Sequence, residues 1–301
     1  MSLLCEGRVA VVTGGGRGLG RAHAMTLAAH GAKVVVNDLG GAVDGTGSSG
    51  GPARGVVDEI RSAGGEALVS TDDCAAWEGA RRVVQAALDA FGRLDVLVAN
   101  AGILRDRMLV TMAADDWDAV IRVHLRGTFC TSHWAAVHWR ERSKAGEAVD
   151  GRLICTSSAA GLYGNIGQAN YAAAKAGIAA FTTVAAAELA RYGVTANAIA
   201  PAARTRMTKD LFPDHMRRPE RGFDMMAPEN VSAVVAWLAS PESRHVTGRV
   251  LEVMGGRLGV AEGWRHGPAV QQEGAFDAAN LGPLVDRLLA EAADPTRLLG
   301  A

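Results

Sequence analysis

Cysteine is scarce and scattered: Cys5, Cys74, Cys130 and Cys155 in 301 residues, with no C-x-x-C spacing. That argues against a disulfide framework and predicts reduced thiols in a cytoplasmic protein. The eight histidines form no H-E-x-x-H or similar cluster, so no catalytic metal is expected. An excess of one charge is also missing. With 31 basic and 32 acidic residues, the formal net charge of −1 offers no general attraction for nucleic acid or an anionic membrane. No uninterrupted apolar run reaches the roughly 20 residues that span a bilayer. No secretory leader is expected, and Leu299-Gly300-Ala301 does not read as a peroxisomal address. What remains is 49% hydrophobic content in a chain whose strand-like and helix-like stretches alternate without a linker, which suits one large core.

Residues 8–13 (RVAVVT) read as a short buried strand that runs directly into Gly14-Gly15-Gly16-Arg17-Gly18-Leu19-Gly20. Residues 19–30 then read as a helix, and 33–37 as a second β-branched strand ending in Asp38. This is the order of a dinucleotide-binding βαβ unit. Glycines let the backbone approach the pyrophosphate, the helix N-terminus holds it, and an acidic residue about 20 positions on takes the adenosine ribose hydroxyls. The Asp38 carboxylate accepts from those hydroxyls and repels a 2′-phosphate, which favours NAD over NADP.

The second informative stretch is TSSAAGLYGNIGQANYAAAK, residues 156–175. Ser158 is followed thirteen positions on by Tyr171 and four later by Lys175, in an Ala-rich segment that reads as helix, so Tyr171 and Lys175 share a face. A fixed cation beside a phenol favours the phenolate and is expected to lower its pKa, making Tyr171 a general acid/base near neutrality. Ser158, just past an apolar strand, is placed to hold a substrate oxygen against the same phenol. Tyr-x-x-x-Lys alone is common on helix surfaces; it is Ser158 and the glycine turn that turn the reading toward catalysis.

The turn T-G-x-x-x-G-x-G at Thr13, Gly14, Gly18 and Gly20, the strand end Asn100-Ala101-Gly102 and the Ser158, Tyr171, Lys175 set occur in the order found in short-chain dehydrogenase/reductases. Over about residues 5–256 the chain resembles that family. The resemblance implies an α/β fold: one Rossmann-type doubly wound parallel sheet of about seven strands with helices on both faces, residues 1–256. A helical C-terminal extension, 257–301, would pack on its own or a partner subunit in a homodimer or homotetramer. It further implies that Gly14, Gly18, Leu19 and Gly20 cradle the cofactor, that Asp73 beside Cys74 meets the adenine amino group, and that Asn100, Ala101 and Gly102 admit the adenosine ribose. Asp72 is a rival to Asp73, and capping the following helix is the alternative for either. Pro201 and Thr205 would hold the nicotinamide carboxamide and diphosphate. Arg17 is an opposing signal, because NADP-using relatives often carry a basic residue there; a solvated loop charge is the alternative.

Three departures narrow the resemblance. Ala99 stands where the family has Asn, Ala202 where it has Gly, and His124 where it has the Asn that supports a water relay to the catalytic lysine. The runs VHLRG at 123–127, NDLGG at 37–41, AGILRDR at 101–107 and YGNIGQANY at 163–171 resemble the (3R)-hydroxyacyl-CoA dehydrogenase part of peroxisomal multifunctional enzyme type 2 and its bacterial stand-alone homologues. The activity implied is NAD-dependent hydride transfer from a (3R)-3-hydroxyacyl-CoA, with Tyr171 taking the hydroxyl proton, Lys175 lowering the phenol pKa and holding the nicotinamide ribose, and His124 relaying the proton outward. A 17β-hydroxysteroid, a steroid side-chain CoA ester and a 3-oxoacyl-acyl-carrier-protein are alternative substrates. A nucleotide-sensing binding protein without chemistry is the alternative of another class, disfavoured because both Tyr171 and Lys175 are present.

Other stretches carry weaker expectations. The Gly/Ser-rich connection at 40–55 is either a mobile cover over the cofactor or a plain disordered loop. Arg105 and Arg107 either meet a carrier phosphate or start a salt-bridged helix. Residues 114–140 read as one long helix. The segment 204–226, with Met207, Leu211, Phe212, Met216, Phe223, Met225 and Met226, reads as a substrate lid or as an ordinary amphipathic helix pair. Leu281, Leu284, Val285, Leu288 and Leu289 form a helical apolar stripe near Pro283 that needs a partner surface.

Overall fold

A computed structural model describes residues 3–208, 216–294 and 296. Leu211 and Phe212 of the expected lid, and the end at Leu299, Gly300 and Ala301, lie outside the described residues. In chain order the elements are β1 (Val9–Thr13), α1 (Gly18–Ala29), β2 (Lys33–Asn37), α2 (Gly51–Ser62), β3 (Ala67–Ser70), α3 (Trp77–Phe91), β4 (Val96–Ala99), α4 (Ala114–Ile121), α5 (Gly127–Lys144) and β5 (Gly151–Thr156). They continue with α6 (Ala159–Tyr163), α7 (Ala169–Leu189), β6 (Val194–Ala202), α8 (Pro228–Ala239), β7 (Val250–Met254), β8 (Arg257–Ala261) and α9 (Leu281–Glu291).

The strands form one sheet in the order β3, β2, β1, β4, β5, β6, β7, β8, parallel except where β8 pairs antiparallel with β7. Alternation along each strand sends side chains to two cores. Ala10 and Val12 face α1, α2 and α8 through Leu27, Val56, Ile60 and Val235. Val9 and Val11 face α3, α5 and α7 through Val83, Trp139 and Ile178. A sheet buried on both faces explains why β1, β2 and β4 read as continuous apolar runs. The strand order reverses between β1 and β4, and at such a switch point the carboxyl ends of the strands leave a crevice.

The sheet has one strand more than the seven expected. Gly255-Gly256 makes a two-residue hairpin loop, with Met254 opposite Arg257 and Gly255 at φ +55. Such a loop needs residues that tolerate positive φ. The boundary expected after residue 256 thus falls inside a hairpin.

Residues 114–144 are likewise not one regular helix. A wide turn of π type, Arg122–Arg126, separates α4 from α5 and carries His124. Turns of this kind bulge the helix and recur at functional sites. The helix running from Ala169 to Tyr192 is apolar and long enough by composition to cross a membrane, at 24 residues and mean hydropathy 1.2. It buries Lys175, Asn170 and Ile178, as the core helix of a globular protein does. In α9 no residue is buried, and Leu281, Val285 and Leu289 of the apolar stripe are exposed.

Candidate active site

At the switch point lies a cavity of about 380 Å³. Gly14, Arg17, Gly18, Leu19, Gly20, Asp38, Asp73, Cys74, Asn100, Ala101, Gly102, His124, Ser158, Tyr171, Lys175, Pro201 and Thr205 all line it. Residues spread over 192 positions of sequence are therefore neighbours, because β1, β4, β5 and β6 deliver them to one end of the sheet.

The glycine turn is shaped by close approach. A Cβ on Gly20 would stand 2.0 Å from the Gly14 carbonyl oxygen, and one on Gly14, at φ +64, would stand 2.8 Å from Ala101 Cα. Asn100 closes the far wall: its backbone N–H donates to Thr13 Oγ1 at 3.0 Å and its Nδ2 to the Thr13 carbonyl at 3.1 Å. Helix α1 starts without any side-chain cap, so its first N–H groups are left for an anion in the cavity. Thr205 approaches from β6, its Cγ2 3.4 Å from a Cβ built on Gly18. Asp38 is fixed by two backbone donors, Gly16 N–H at 2.8 Å and Gly40 N–H at 2.7 Å. An uncapped helix start, a backbone cradle that a Cβ would fill and a pinned carboxylate fit the diphosphate and ribose of a nicotinamide dinucleotide.

The acidic pair after β3 is engaged in the protein itself. Asp73 accepts from Ala75 N–H at 2.9 Å and pairs with Arg122, while Asp72 pairs with Arg82 at 2.6 Å. Burial pushes the neighbouring Cys74 thiol up to about 12, so it is no nucleophile at neutral pH.

The connection after β2 is ordered and lies over the cavity. Leu104 N–H donates to the Val43 carbonyl at 2.9 Å, Arg105 Nε to the Asp44 carbonyl at 2.9 Å, and Arg17 Nη1 to the Gly41 carbonyl at 3.0 Å. Ala42, Val43 and Gly45 thereby join the lining. Arg17 is a loop fastener rather than a solvated charge. Arg105 and Arg107 face Asp116 at 3.9 and 3.8 Å, the salt-bridged helix start of the two readings. In the segment after β6, Met207 and Met216 line the cavity, whereas Phe223 and Met225 are exposed.

At the other end of the cavity Ser158 caps α6, accepting from Ala160 N–H at 3.2 Å, and hydrogen bonds the Tyr171 phenol. Lys175 Nζ lies 5.6 Å from the Tyr171 ring centroid and donates to the Thr156 carbonyl at 2.6 Å. Here the structure corrects the expectation. Burial pushes the Tyr171 phenol above its ordinary value, opposed by the Ser158 hydrogen bond, and the lysine does not bring it down. The same burial lowers Lys175 to about 7, which weakens the cation that was to do so.

His124 packs edge-on against Tyr171, with ring centroids 5.1 Å apart. Its Nε2 lies 2.8 Å from the Ile103 carbonyl oxygen and 3.1 Å from the Ile103 amide nitrogen, and Nδ1 has no partner among the described residues. Burial, reinforced by Lys175, lowers it to about 3, so the imidazole is neutral. Only glycine fits at 102, because a Cβ there would stand 2.3 Å from His124 Cε1. Gly102→Ala is expected to cost about 1–3 kcal/mol through overpacking. Combined with His124→Ala it should cost less than the two single changes summed. Thermal unfolding of the four proteins checks this; strict additivity would show that the ring does not set the requirement for glycine.

Among the lining residues to which the sequence assigns no role, three lie close to the catalytic groups. Asn165 and Gln168 sit in a quoted motif but were given no role, and Thr156 acts through its carbonyl, which no side-chain pattern reveals. Their nearness to Tyr171 along the chain was the available signal.

The model of the short chain dehydrogenase family matches residues 8–216. The chain belongs to the short-chain dehydrogenase family. This dehydrogenase is accordingly an oxidoreductase acting on hydroxyl groups with a nicotinamide cofactor. It is 48% identical over 256 residues to hydroxyacyl-CoA dehydrogenase ChsB1 of Mycobacterium tuberculosis, covering 83% of this chain and 78% of that one. It is 44% identical over 254 residues to peroxisomal multifunctional enzyme type 2 of Mus musculus, covering 84% of this dehydrogenase and 32% of the longer mouse protein. Among solved structures, a short chain dehydrogenase from Mycobacterium avium superimposes with a TM-score of 0.90 at 55% identity, covering 99% of this chain and all of that one. A second, from Burkholderia cenocepacia in complex with NADP, gives 0.71 at 32% identity over 84% of this chain and 98% of that one.

Proposed function

We propose that this dehydrogenase oxidises a (3R)-3-hydroxyacyl-CoA to the 3-oxoacyl-CoA with NAD. The observation that carries the reading is the Ser158, Tyr171, Lys175 cluster at the end of a dinucleotide-shaped cavity, in a chain 48% identical to a hydroxyacyl-CoA dehydrogenase. For NAD the support is Asp38, whose carboxylate is held by Gly16 and Gly40 where a 2′-phosphate would meet its charge.

The geometry supports the following roles. Gly14, Gly18, Gly20 and the start of α1 hold the diphosphate, Asp38 the adenosine ribose, and Thr205 the nicotinamide end. The nicotinamide, when bound, supplies the hydride acceptor. Ser158 directs the substrate hydroxyl to Tyr171, which takes its proton in oxidation and returns one to the carbonyl in reduction. Lys175 spends one donor on the Thr156 carbonyl and keeps two for ribose hydroxyls. Neutral His124 offers Nδ1 as the next proton station behind Tyr171.

The test is dinucleotide reduction by the purified protein with (3R)- and (3S)-3-hydroxyacyl-CoA and a 17β-hydroxysteroid, each with NAD and with NADP. Turnover confined to the (3R) ester with NAD is expected. Silence on both esters with turnover of the steroid would overturn the substrate, and preference for NADP would overturn the role of Asp38.

A further inference from the structure

Behind the cavity wall a short polar chain ends at the start of α7, the helix that carries Tyr171. Residues 105–107 dock on the start of α7 through three hydrogen bonds. Asn170 Nδ2 donates to the Arg105 carbonyl at 2.9 Å, Gln168 Nε2 to Asp106 Oδ2 at 2.8 Å, and Arg107 N–H to the Gly167 carbonyl at 2.8 Å. The docking fixes the Asp106 carboxylate against the first turn of the helix that carries Tyr171. Gln168 is itself held from its other end, its Oε1 accepting from Asn165 Nδ2 at 2.9 Å. Asp106 Oδ1 is buried and has no hydrogen-bond partner among the described residues. A carboxylate so placed is poorly compensated: Arg107, the cation beside it, turns to Asp116 and to the Asp106 backbone carbonyl instead.

We propose that Asp106, held by Gln168 three residues before Tyr171 at the start of α7, is an electrostatic positioning residue whose negative charge adds to burial in disfavouring the Tyr171 phenolate when the site is at rest. The proposal rests on Tyr171 as the proton-exchanging group of the reaction above. The groups facing Tyr171 come from four elements. Lys175 lies on its own helix, Ser158 at the start of α6, His124 on the wide turn, and Asp106 on the segment after β4. His124 is neutral, Ser158 uncharged and Lys175 without effect on the phenol, so Asp106 is the charge that acts on it, raising it after burial. Burial also raises the Asp106 carboxyl above its ordinary value, opposed by the Gln168 hydrogen bond and Arg107. A nearby anion disfavours the phenolate, and in a buried site its field is little screened.

The consequence has a sign. Removing the charge at 106 makes the phenolate easier to form. The limb on which alcohol oxidation rises with pH moves to lower pH, and so does the limb on which carbonyl reduction falls. Asp106→Asn is nearly isosteric and still accepts from Gln168, so the docking of 105–107 survives.

The direct measurement is ultraviolet titration of phenolate in the protein without substrate or dinucleotide. The chain has three tyrosines, so subtraction of the Tyr171→Phe protein isolates the signal of Tyr171. In Asp106→Asn its midpoint is expected at lower pH than in the wild type, and in Asp106→Glu, which restores the charge, back toward the wild type. On the rising limb at fixed pH, Asp106→Asn should oxidise substrate roughly three- to tenfold faster while the plateau kcat is unchanged. Asp116→Asn, which removes a carboxylate engaged by Arg105 and Arg107, should leave the midpoint in place. An unmoved or raised midpoint in Asp106→Asn overturns the proposal. Because the titration needs no turnover, it is decided independently of whether a hydroxyacyl-CoA proves to be the substrate.

Discussion

Tyr171→Phe is expected to lower turnover of the alcohol by roughly 10²- to 10⁴-fold, the usual contribution of a positioned general acid/base, with dinucleotide affinity unchanged. Phenylalanine keeps the ring that packs edge-on against His124 and fills the same buried space. What disappears is one hydroxyl, and with it the hydrogen bond to Ser158 and the station through which the proton leaves the substrate. The dinucleotide end is built by Gly14, Gly20, Asp38 and Asn100, none of which hydrogen bonds Tyr171, so binding and chemistry should separate cleanly. Steady-state kcat read beside dinucleotide titration by fluorescence makes the comparison. A variant within tenfold of wild-type kcat would remove Tyr171 from the chemistry.

Gly20→Ala should do the opposite and abolish binding before chemistry is reached. Its added Cβ would stand 2.0 Å from the Gly14 carbonyl oxygen and 2.7 Å from Asn100 Nδ2. Neither neighbour is the far end of a flexible side chain: one is backbone in the turn, the other is tied to Thr13. The turn must therefore open, at about 3 kcal/mol of stability and with dinucleotide affinity lost. Gly18→Ala provides the contrast. There the nearest atom is 3.4 Å away, and the obstacle is φ +51, which costs an alanine about 1 kcal/mol. Denaturation midpoints and dinucleotide titrations of both variants check the ranking; equal losses would mean that the close approach at Gly20 does not govern the cradle.

What could be read from the sequence was what is local along the chain. The glycine turn, the strand ending in Asp38 and the Ser158, Tyr171, Lys175 spacing each sit within one or two consecutive elements, so periodicity and turn chemistry place them. Asp106 and Gln168 are 62 positions apart, and only the docking of one loop on one helix start makes them partners. Arg122 reaches Asp73 across 49 positions for the same kind of reason. The direction of the Tyr171 shift was missed because it depends on burial, which outweighs the hydrogen bond from Ser158; spacing reports neighbours but not solvent. The wide turn at Arg122–Arg126 is five residues long, too short for a change of period to show in the sequence. Gly255-Gly256 is a turn signal in the sequence, and the strand it leads into, β8, lies beyond the stretch that the family resemblance covers.

The contacts of Asn100 bear on when, during synthesis, the cradle becomes complete. Strand β1 is the third from one edge, with β2 on one side and β4 on the other, and Val11 meets Val35 and Leu97. Val35 leaves the ribosome soon after Val11, but Leu97 follows 86 residues behind. Until then one edge of an apolar strand stays open, a delay typical of parallel sheets. The turn from Gly14 to Gly20 is thus made early, and its far wall, Asn100 on Thr13 and Gly14, arrives late. A nascent chain halted before β4 has every glycine of the motif and no finished cradle.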